Sequence, residues 1–432
     1  MINTLIKIVI ILSVCLSMGG CGTPPATVPG VVDEAPSMEV TPLTAADLHT
    51  VTYLPAGRYS IAKDIITPSD TEIYGDGDST IITIEGDNIT GFSTGTTADK
   101  KDIKIHDLKI VGGGQTTDIY SGRKGNVGIM IARATNVAID RVTISKMGII
   151  NKADVTNDKG FSGMGILITA RYGALTNIKV NNCNVSQVAG GGMNSGDGIY
   201  VAGYNKDLTT ATTDVVISNN IVSQCGRHCY TVAGGSGGSI PDGVKFVNNQ
   251  AYYSALSGLD IEDGYNTAIQ DSAFWYCGND QTYYNPAAIY GKTYRLIAGV
   301  ATSNTSKNTS ITGSKFYGCY VGVAYSYDNG LLIDSSKFEA SILSDITMGS
   351  ANTGAGMKLI NSQFLTNLPV LNFYRNAAVA ADFLAEDCMF TGEVKIFLMS
   401  DGTFRRCTFK TGIWLNTATK LMPIVFDNCV GL

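Results

Sequence analysis

One short apolar stretch, YSALSGLDIEDG at residues 253–264, carries three acids within four positions: Asp260, Glu262 and Asp263. Only 16% of the residues in this chain are charged. Apolar residues alternate with the first two acids, which is the pattern of a strand with one apolar and one polar face. The sequence therefore predicts the carboxyl groups of Asp260 and Glu262 side by side on the outward face of a strand.

Glycoside hydrolysis requires two neighbouring carboxyl groups, one protonated and the other ionised. Outward residues two positions apart in a strand have Cα atoms ~6.5 Å apart. That spacing is compatible with the separation of about 6.5–9.5 Å between the carboxyls of inverting enzymes. Crowding by Asp263 is expected to raise the pKa of one member of the pair and so supply the acid.

The strand belongs to a repeat. A six-residue phrase (apolar, polar, polar, small, any, apolar) recurs after residue 100, as in VNNCNV, IDSSKF and FRRCTF, with a spacing that falls to about 22 residues. Each phrase is followed by glycines and a second strand such as GIYVA or GLDIE, and no helical pattern of useful length intervenes. A coil of this length can wind round to place the next strand in parallel. We predict an all-β fold, a single-stranded right-handed parallel β-helix (solenoid) of about 12 coils.

The opening of this domain supports that fold. VTYLPAGRYSIAKDIITPSDTEIYGDGDSTII, residues 51–82, resembles the first coils of the pectin-lyase-like β-helix superfamily, with a P-A-G-x-Y turn followed by G-D-G-x-S-T-I-I. The resemblance covers roughly residues 50–432. This superfamily includes pectate lyases, polygalacturonases, alginate lyases and epimerases, and phage tailspikes, so the resemblance implies a polysaccharide partner. The N-T-D, D-D and R-I-K motifs of polygalacturonases and the D-P-H motif of mannuronan epimerases are absent.

Aligning the second strands of successive coils brings further polar side chains around the acids. The aligned residues are Asp197 and Tyr200 two rungs back, Arg227 and His228 one rung back, and Tyr290 and Lys292 one rung forward. The predicted catalytic residues are Asp260, Glu262 and His228, and the predicted substrate-binding residues are Arg227, Lys292, Tyr290, Asp197, Tyr200 and Asp263.

Lyase or C5-epimerase chemistry would use the same residues differently. Arg227 or Lys292 would neutralise a uronate carboxylate, while His228 or Tyr290 would handle the protons. Calcium could instead bridge the acids to the uronate, and no other cofactor is implied. A structural alternative is that Arg227 pairs with Asp260 across rungs and that Asp263 belongs to a turn.

The N-terminus predicts export. Residues 1–20, MINTLIKIVIILSVCLSMGG, are typical of a signal peptide. The end of that segment resembles a bacterial lipoprotein processing site with Cys21 as the lipid acceptor, which implies a membrane anchor and a position in the cell envelope, at the outer membrane or cell surface. Residues 21–48 are predicted to be a flexible tether and residues 49–432 the β-helix domain.

Charge and cysteines narrow the remaining possibilities. A net charge of −6 argues against nucleic acid as a partner. Three late cysteines fall at the small position of the phrase, where a small inward residue is expected; they are Cys388, Cys407 and Cys429. The sequence does not decide whether two pairs of cysteines, Cys277–Cys319 and Cys225–Cys229, form disulfides.

The function that these patterns predict is an exported protein that binds a polysaccharide and cleaves or modifies it in a groove on the side of the β-helix, as a hydrolase or a lyase or epimerase. The alternative is a non-catalytic surface rod, glycan-binding or adhesive, in which the same face only holds sugar.

Overall fold

The computed structural model describes residues 39–432 except 87, 114–125, 149–162, 189–195, 204–211, 235–237, 279–296, 304, 326–327, 349–355, 368, 370, 374–381, 397–400, 416–423 and 432. Residues 39–432 form one compact unit. None of the helices in the described ranges is long and apolar enough to cross a membrane.

In the described residues the chain forms forty strands and two short 3-10 helices, Ala45–Asp47 and Ala170–Tyr172. The first twenty-one strands are β1 (Val40–Pro42), β2 (Val51–Leu54), β3 (Gly57–Ile61), β4 (Ile65–Ile66), β5 (Thr71–Ile84), β6 (Thr90–Ser93), β7 (Lys100–Gly112), β8 (Val127–Ala132), β9 (Ala134–Met147), β10 (Met164–Thr169), β11 (Leu175–Asn181), β12 (Asn184–Val188), β13 (Asp197–Ala202), β14 (Thr212–Ser218), β15 (Ile221–Cys225), β16 (Tyr230–Ala233), β17 (Lys245–Val247), β18 (Gln250–Tyr252), β19 (Leu259–Ile261), β20 (Ala268–Gln270) and β21 (Ala273–Trp275). The remaining strands are β22 (Val300–Thr302), β23 (Ser306–Lys307), β24 (Ser310–Thr312), β25 (Lys315–Tyr317), β26 (Val321–Tyr325), β27 (Asp328–Asn329), β28 (Leu332–Asp334), β29 (Lys337–Glu339), β30 (Ser344–Met348), β31 (Lys358–Ile360), β32 (Gln363–Phe364), β33 (Leu371–Phe373), β34 (Phe383–Glu386), β35 (Met389–Phe390), β36 (Val394–Ile396), β37 (Gly402–Arg405), β38 (Thr408–Phe409), β39 (Ile413–Leu415) and β40 (Ile424–Asp427).

Strands at the same position in successive coils pair in parallel, which gives three rows. The first row is β2, β5, β7, β9, β11, β14, β17, β20, β24, β28, β31, β34, β37 and β40. The second row is β1, β3, β5, β7, β9, β12, β15, β18, β21, β25, β29, β32, β35 and β38. The third row is a separate sheet of 13 strands, β4, β6, β8, β10, β13, β16, β19, β22, β26, β30, β33, β36 and β39. The predicted all-β parallel β-helix is confirmed.

The sheet begins earlier than the predicted boundary at residue 49. The strand Val40–Pro42, which lies inside the segment predicted to be a tether, pairs with Arg58–Ser60. The first two rows form one sheet of 25 strands because β5, β7 and β9 are long enough to run through both.

The repeated phrase marks the bend between the first and second rows. Its third residue has a left-handed backbone in all twelve copies, with φ between 49° and 61°. These residues are Asp107, Arg141, Asn182, Asn219, Asn248, Asp271, Gly313, Ser335, Asn361, Asp387, Arg406 and Asn428. Asn, Asp and Gly tolerate this conformation best, which explains why the position is so often one of them.

The small fourth residue of the phrase links one coil to the next. The backbone N–H of Asn220 donates to Oδ1 of Asn249 at 3.0 Å, and that of Asn249 donates to Oγ of Ser272 at 3.1 Å. Cysteines replace these residues later, where the Cys388 thiol donates to the carbonyl of Leu359. The eight cysteines of the described residues are free thiols, and Cys388 and Cys407 are buried as predicted for small inward residues.

The core is a stack of apolar side chains that runs along the solenoid. Its C-terminal half contains a ladder of phenylalanines whose ring centroids are 4.4 to 5.2 Å apart from one coil to the next. The ladder consists of Phe274, Phe316, Phe338, Phe364, Phe390 and Phe409. These rings pack against glycines that precede the third row: a Cβ at Gly258 would lie 2.5 Å from Cδ1 of Phe274.

Candidate functional site

The outer face of the 13-stranded sheet carries the predicted acids. Tyr200 pairs with Thr231, and Thr231 pairs with Asp260, so these three residues form one outward column. The neighbours Leu259 and Ile261 lie in the core, which places the Asp260 side chain on the opposite face of the strand. The predicted column is therefore confirmed as far as Asp260.

The next rung differs from the prediction. Asp260 pairs with Ala301, and the backbone N–H of Ser303 donates to the carbonyl of Ile261, so Ser303 takes the place beside Glu262. The alignment with Tyr290 and Lys292 was wrong, because a long insertion precedes the strand Val300–Thr302 and the pattern around Ile289 imitates it. Tyr290 and Lys292 themselves lie outside the described residues.

A glycine turns Asp197 outward. Asp197 and Ile199 are two positions apart, so a regular strand would point both side chains into the core. A Cβ on the intervening Gly198 would instead meet Cγ1 of Val222 at 2.2 Å and Sγ of Cys225 at 3.2 Å. Gly198 and Ile199 thus both face the interior, and Asp197, which precedes them, turns outward.

Arg227 and Asp197 form a buried ion pair. Nε of Arg227 donates to Oδ1 of Asp197 at 3.0 Å, and the two side chains are 6% and 0% exposed. The Thr231 hydroxyl donates to the same oxygen at 2.9 Å, and Arg227 also stands over the Tyr200 ring, 5.8 Å from its centroid. Burial lowers the pKa of Arg227, but attraction by Asp197 and Glu262 outweighs it and holds that pKa above its usual value. In the structural alternative Arg227 pairs with Asp260, but its ion-pair partners among the described residues are Asp197 and, at 3.9 Å, Glu262.

His228 is buried and held in one orientation. The backbone N–H of Ser257 donates to Nδ1 at 3.1 Å, so the ring carries its proton on Nε2. Nε2 lies 3.3 Å from Oδ2 of Asp260, although the alignment falls short of a hydrogen bond. Burial and repulsion by Arg227 hold the pKa of His228 well below its usual value. His228 is therefore a neutral imidazole.

Asp260 and Glu262 act as one titrating unit. Burial first, and then the Glu262 carboxyl, raise the pKa of Asp260 well above its usual value. Burial also raises the pKa of Glu262, although attraction by Arg227 opposes the effect. Among the described residues, neither carboxyl oxygen of Asp260 has a hydrogen-bond partner.

Asp263 is fixed next to this pair. Its Oδ1 accepts hydrogen bonds from the hydroxyl of Thr305 at 2.7 Å and from the Thr305 backbone N–H at 3.1 Å. On the preceding rung, a Cβ at Gly234 would lie 2.7 Å from Cβ of Asp263, so only glycine leaves room there. Thr305 could not be found from the sequence because it falls in an insertion without repeat pattern.

Exposure divides the cluster into two layers. Asp197, His228 and Asp260 are fully buried, whereas the Glu262 side chain is 23% exposed. Asp263 and Tyr200 are also partly exposed. The accessible groups that a ligand would meet first are thus the second acid of the pair and its two neighbours, with the remaining residues behind them.

Small apolar residues border the cluster on its C-terminal side. Ala298, Ala301, Val321 and Ala324 form a separate buried group on the outer face. The described residues contain no group of three or more His, Cys, Asp or Glu side chains arranged to hold a metal ion. The predicted lipid acceptor Cys21 lies outside the described residues.

Neither a protein-family model nor a curated protein matches this sequence. Solved structures do match. The A-module of the mannuronan C-5 epimerase AlgE6 from Azotobacter vinelandii is 15% identical over 90% of this chain and 92% of that chain, with a TM-score of 0.55. The surface adhesin PfbA of Streptococcus pneumoniae is 15% identical over 90% and 91% of the two chains, with a TM-score of 0.48. At these identities the comparison establishes the fold alone, which is a right-handed parallel β-helix.

Proposed function

We propose that the protein binds a polysaccharide at the outer face of the 13-stranded sheet and hydrolyses it with the Asp260–Glu262 pair. The observation that carries the proposal is this pair itself, two acids two positions apart whose pKa values burial raises, one buried without a hydrogen-bond partner in the described part of the chain and one partly exposed. Raised carboxyl pKa values are what a general acid needs near neutral pH.

The two acids have different roles in this proposal. Glu262 meets the substrate and delivers a proton to the leaving glycosidic oxygen as the bond to the sugar breaks. In this proposal both acids carry a proton at the start: Glu262 gives up its own, and Asp260 keeps its proton and so stabilises the Glu262 carboxylate that remains. A water molecule supplies the hydroxyl group of the new reducing end, and Asp263, with one oxygen held by Thr305, is the candidate base that accepts its proton.

The charge of the cluster favours a neutral polysaccharide over a uronate. Arg227 is offset by Asp197, and the accessible part of the face carries two further acids, Glu262 and Asp263. A uronate carboxylate brought to this face would be repelled, and the buried guanidinium is already engaged by two acids. Lyase or epimerase chemistry therefore needs an added cation, for which calcium is the candidate.

The test is turnover on a panel of polymers. Protein from residue 39 onward is incubated with neutral glucans, galactomannan, alginate and pectin, with and without calcium, beside Glu262→Gln. New reducing ends and the absorbance of unsaturated uronate are followed in the same samples. New reducing ends without unsaturated uronate on a neutral polymer support hydrolysis. If both signals rise on a uronate polymer, the protein is a lyase and the hydrolase proposal is wrong.

The burial of Asp260 favours a second candidate, a glycan-binding protein without catalysis. In that case the acids buttress the face from rung to rung, and sugar contacts only the exposed groups. No product would form on any polymer, and Glu262→Gln would change affinity alone. Proton exchange at C5 in deuterated water separates this outcome from an epimerase, which also releases no fragments.

We also propose that the chain is exported and anchored in the cell envelope by lipid on Cys21. The support is the sequence of residues 1–21, a short apolar segment that ends in LSMGGC. A polysaccharide outside the cell would then be within reach of the β-helix, and two or more acyl chains would hold it stably at the membrane.

A further inference from the structure

A second surface of the solenoid carries five aromatic side chains on three successive coils. It lies on the second row, in the 25-stranded sheet, whereas the acidic cluster lies on the 13-stranded sheet. Tyr252, Trp275 and Tyr317 are register partners, with ring centroids 6.1 and 5.7 Å apart. Tyr253 and Tyr276 stack beside them at 5.3 Å with nearly parallel planes. All five are only partly buried. We call these five residues the aromatic patch.

Two of these tyrosines occupy unfavourable backbone positions. Tyr253 and Tyr276 have φ values of 53° and 54°, in the left-handed region where a bulky side chain is rare. The next coil has Gly318 at this corner, and a Cβ there would lie 2.7 Å from the Tyr276 ring. Retained strain of this kind is often found where a surface has a role beyond folding.

A cavity of about 220 Å³ adjoins the patch. Along this row Gln250 pairs with Ala273, and Ala273 pairs with Lys315, so a methyl group between two long side chains leaves the space open. Trp275 forms one wall and Asp271 another. This volume holds many water molecules and suits one sugar ring.

The cavity offers polar groups without net charge. The Tyr252 hydroxyl donates to Oε1 of Gln250 at 2.5 Å, which fixes that amide at the wall. Asp271 and Lys315 line the same space, and in the described part of the chain neither forms a salt bridge. The indole N–H of Trp275 has no acceptor among the described residues, so stacking alone orients the ring.

We propose that the aromatic patch and this cavity form a second carbohydrate site, which binds a neutral pyranose unit of a polysaccharide without reacting with it. Aromatic side chains give a sugar ring apolar contacts, while amide, carboxylate and ammonium groups bind its hydroxyls. The opposite charges of Asp271 and Lys315 select against a polyanion. The site does not depend on catalysis by the acidic cluster.

Fluorescence tests this site directly because the chain has only two tryptophans, Trp275 and Trp414. In Trp414→Phe, the remaining emission comes from Trp275. This variant is titrated with laminarin, dextran, galactomannan and, as the polyanion, alginate. The proposal predicts a saturable change in emission with at least one neutral polymer and none with alginate.

Electrophoresis in gels that contain the same polymers gives a second readout and a matched control. Ala273→Leu fills the cavity but keeps the patch, and it should weaken retardation at least tenfold with an unchanged unfolding midpoint. Trp414→Phe, whose changed residue lies in β39 and belongs neither to this site nor to the acidic cluster, should be retarded like the wild type. Absence of any emission change with the neutral polymers, or binding that persists in Ala273→Leu, would overturn the proposal. In that case the aromatics only stabilise the coils.

Discussion

Arg227 and Asp197 meet across one turn of the solenoid, with Nε 3.0 Å from Oδ1 and both side chains buried. Asp197 is turned outward by Gly198, and Arg227 extends from the next coil over Tyr200. The guanidinium therefore reaches Glu262 with its far end while its Nε holds Asp197. This ion pair links two successive coils next to the acids Asp260 and Glu262.

Removing Arg227 should destabilise the fold strongly. Arg227→Met leaves Asp197 buried without a counter-charge, and breaking a buried pair in this way costs about 3–5 kcal/mol. Urea unfolding followed by circular dichroism measures the loss.

The matched control is Asp197→Asn combined with Arg227→Met. The amide oxygen of Asn can still accept from Thr231, and no charge is left unpaired, so the double variant should recover most of the lost stability. A double variant as unstable as Arg227→Met alone would mean that packing of the arginine, and not the charge pair, is what matters.

Asp345 makes stability depend on pH. It is fully buried, and burial raises its pKa to about 6 although Ser341 and Thr366 donate to its carboxylate. The folded state therefore binds the proton more tightly than the unfolded state, whose value is 3.8. Its contribution is fully present below pH 3.8 and is lost as pH rises to about 6, an effect on the order of 3 kcal/mol.

Asp345→Asn should consequently stabilise the protein above that window by about 1–3 kcal/mol, because the amide oxygen accepts the same hydroxyls without a charge to bury. Urea midpoints of both proteins are compared at about pH 8 and about pH 4, where linkage predicts that the advantage shrinks. An advantage of equal size at both pH values would exclude Asp345 as its source.

The cysteines should behave as eight free thiols. Seven of the eight in the described residues are buried, and Cys277 and Cys319 occupy neighbouring coils, where the Tyr320 backbone N–H donates to the Cys277 carbonyl. A thiol reagent should react slowly with the native protein from residue 39 onward and label eight groups after unfolding without reductant. Six labelled groups would reveal a disulfide, and peptide mapping would show whether it joins this pair.

Lipid attachment has its own test. In a bacterial host, the full chain should incorporate labelled palmitate and sediment with membranes, because the acyl chains bury in the bilayer. Cys21→Ser should abolish the label and release the protein, whereas Cys15→Ser, inside the predicted signal peptide, should leave both unchanged. Labelling that survives Cys21→Ser would place the modification elsewhere.

The fold was predictable because the residue types of the repeated phrase follow from the local backbone conformation. Asn and Asp at the third phrase position tolerate the left-handed bend, and small residues at the fourth position fit the ladder between coils. Alternation around Asp260 correctly placed its side chain outward. These patterns involve residues that are close in the sequence, so they can be recognised without the folded structure.

Parts of the site were beyond such reasoning. Lys292 and Tyr290 were aligned one rung forward because the pattern around Ile289 imitates a strand, whereas the pairing runs to Ala301. Asp197 was placed in the cluster, but its pairing with Arg227 was missed, because it depends on the close approach of Gly198 to the core, which turns Asp197 outward. Pairing across an insertion and bends at glycines depend on contacts between coils.

The most direct test of the proposed chemistry is turnover by Glu262→Gln and Asp260→Asn on the polymer that the wild type cleaves, measured from acidic to alkaline pH. Loss of the general acid should lower turnover by Glu262→Gln by about 10²–10⁴-fold. Asp260→Asn should stay active with a similar pH profile, because its amide N–H can donate to the Glu262 carboxylate as a protonated Asp260 does. Wild-type turnover by Glu262→Gln would contradict the assignment of this pair as the acid of the reaction.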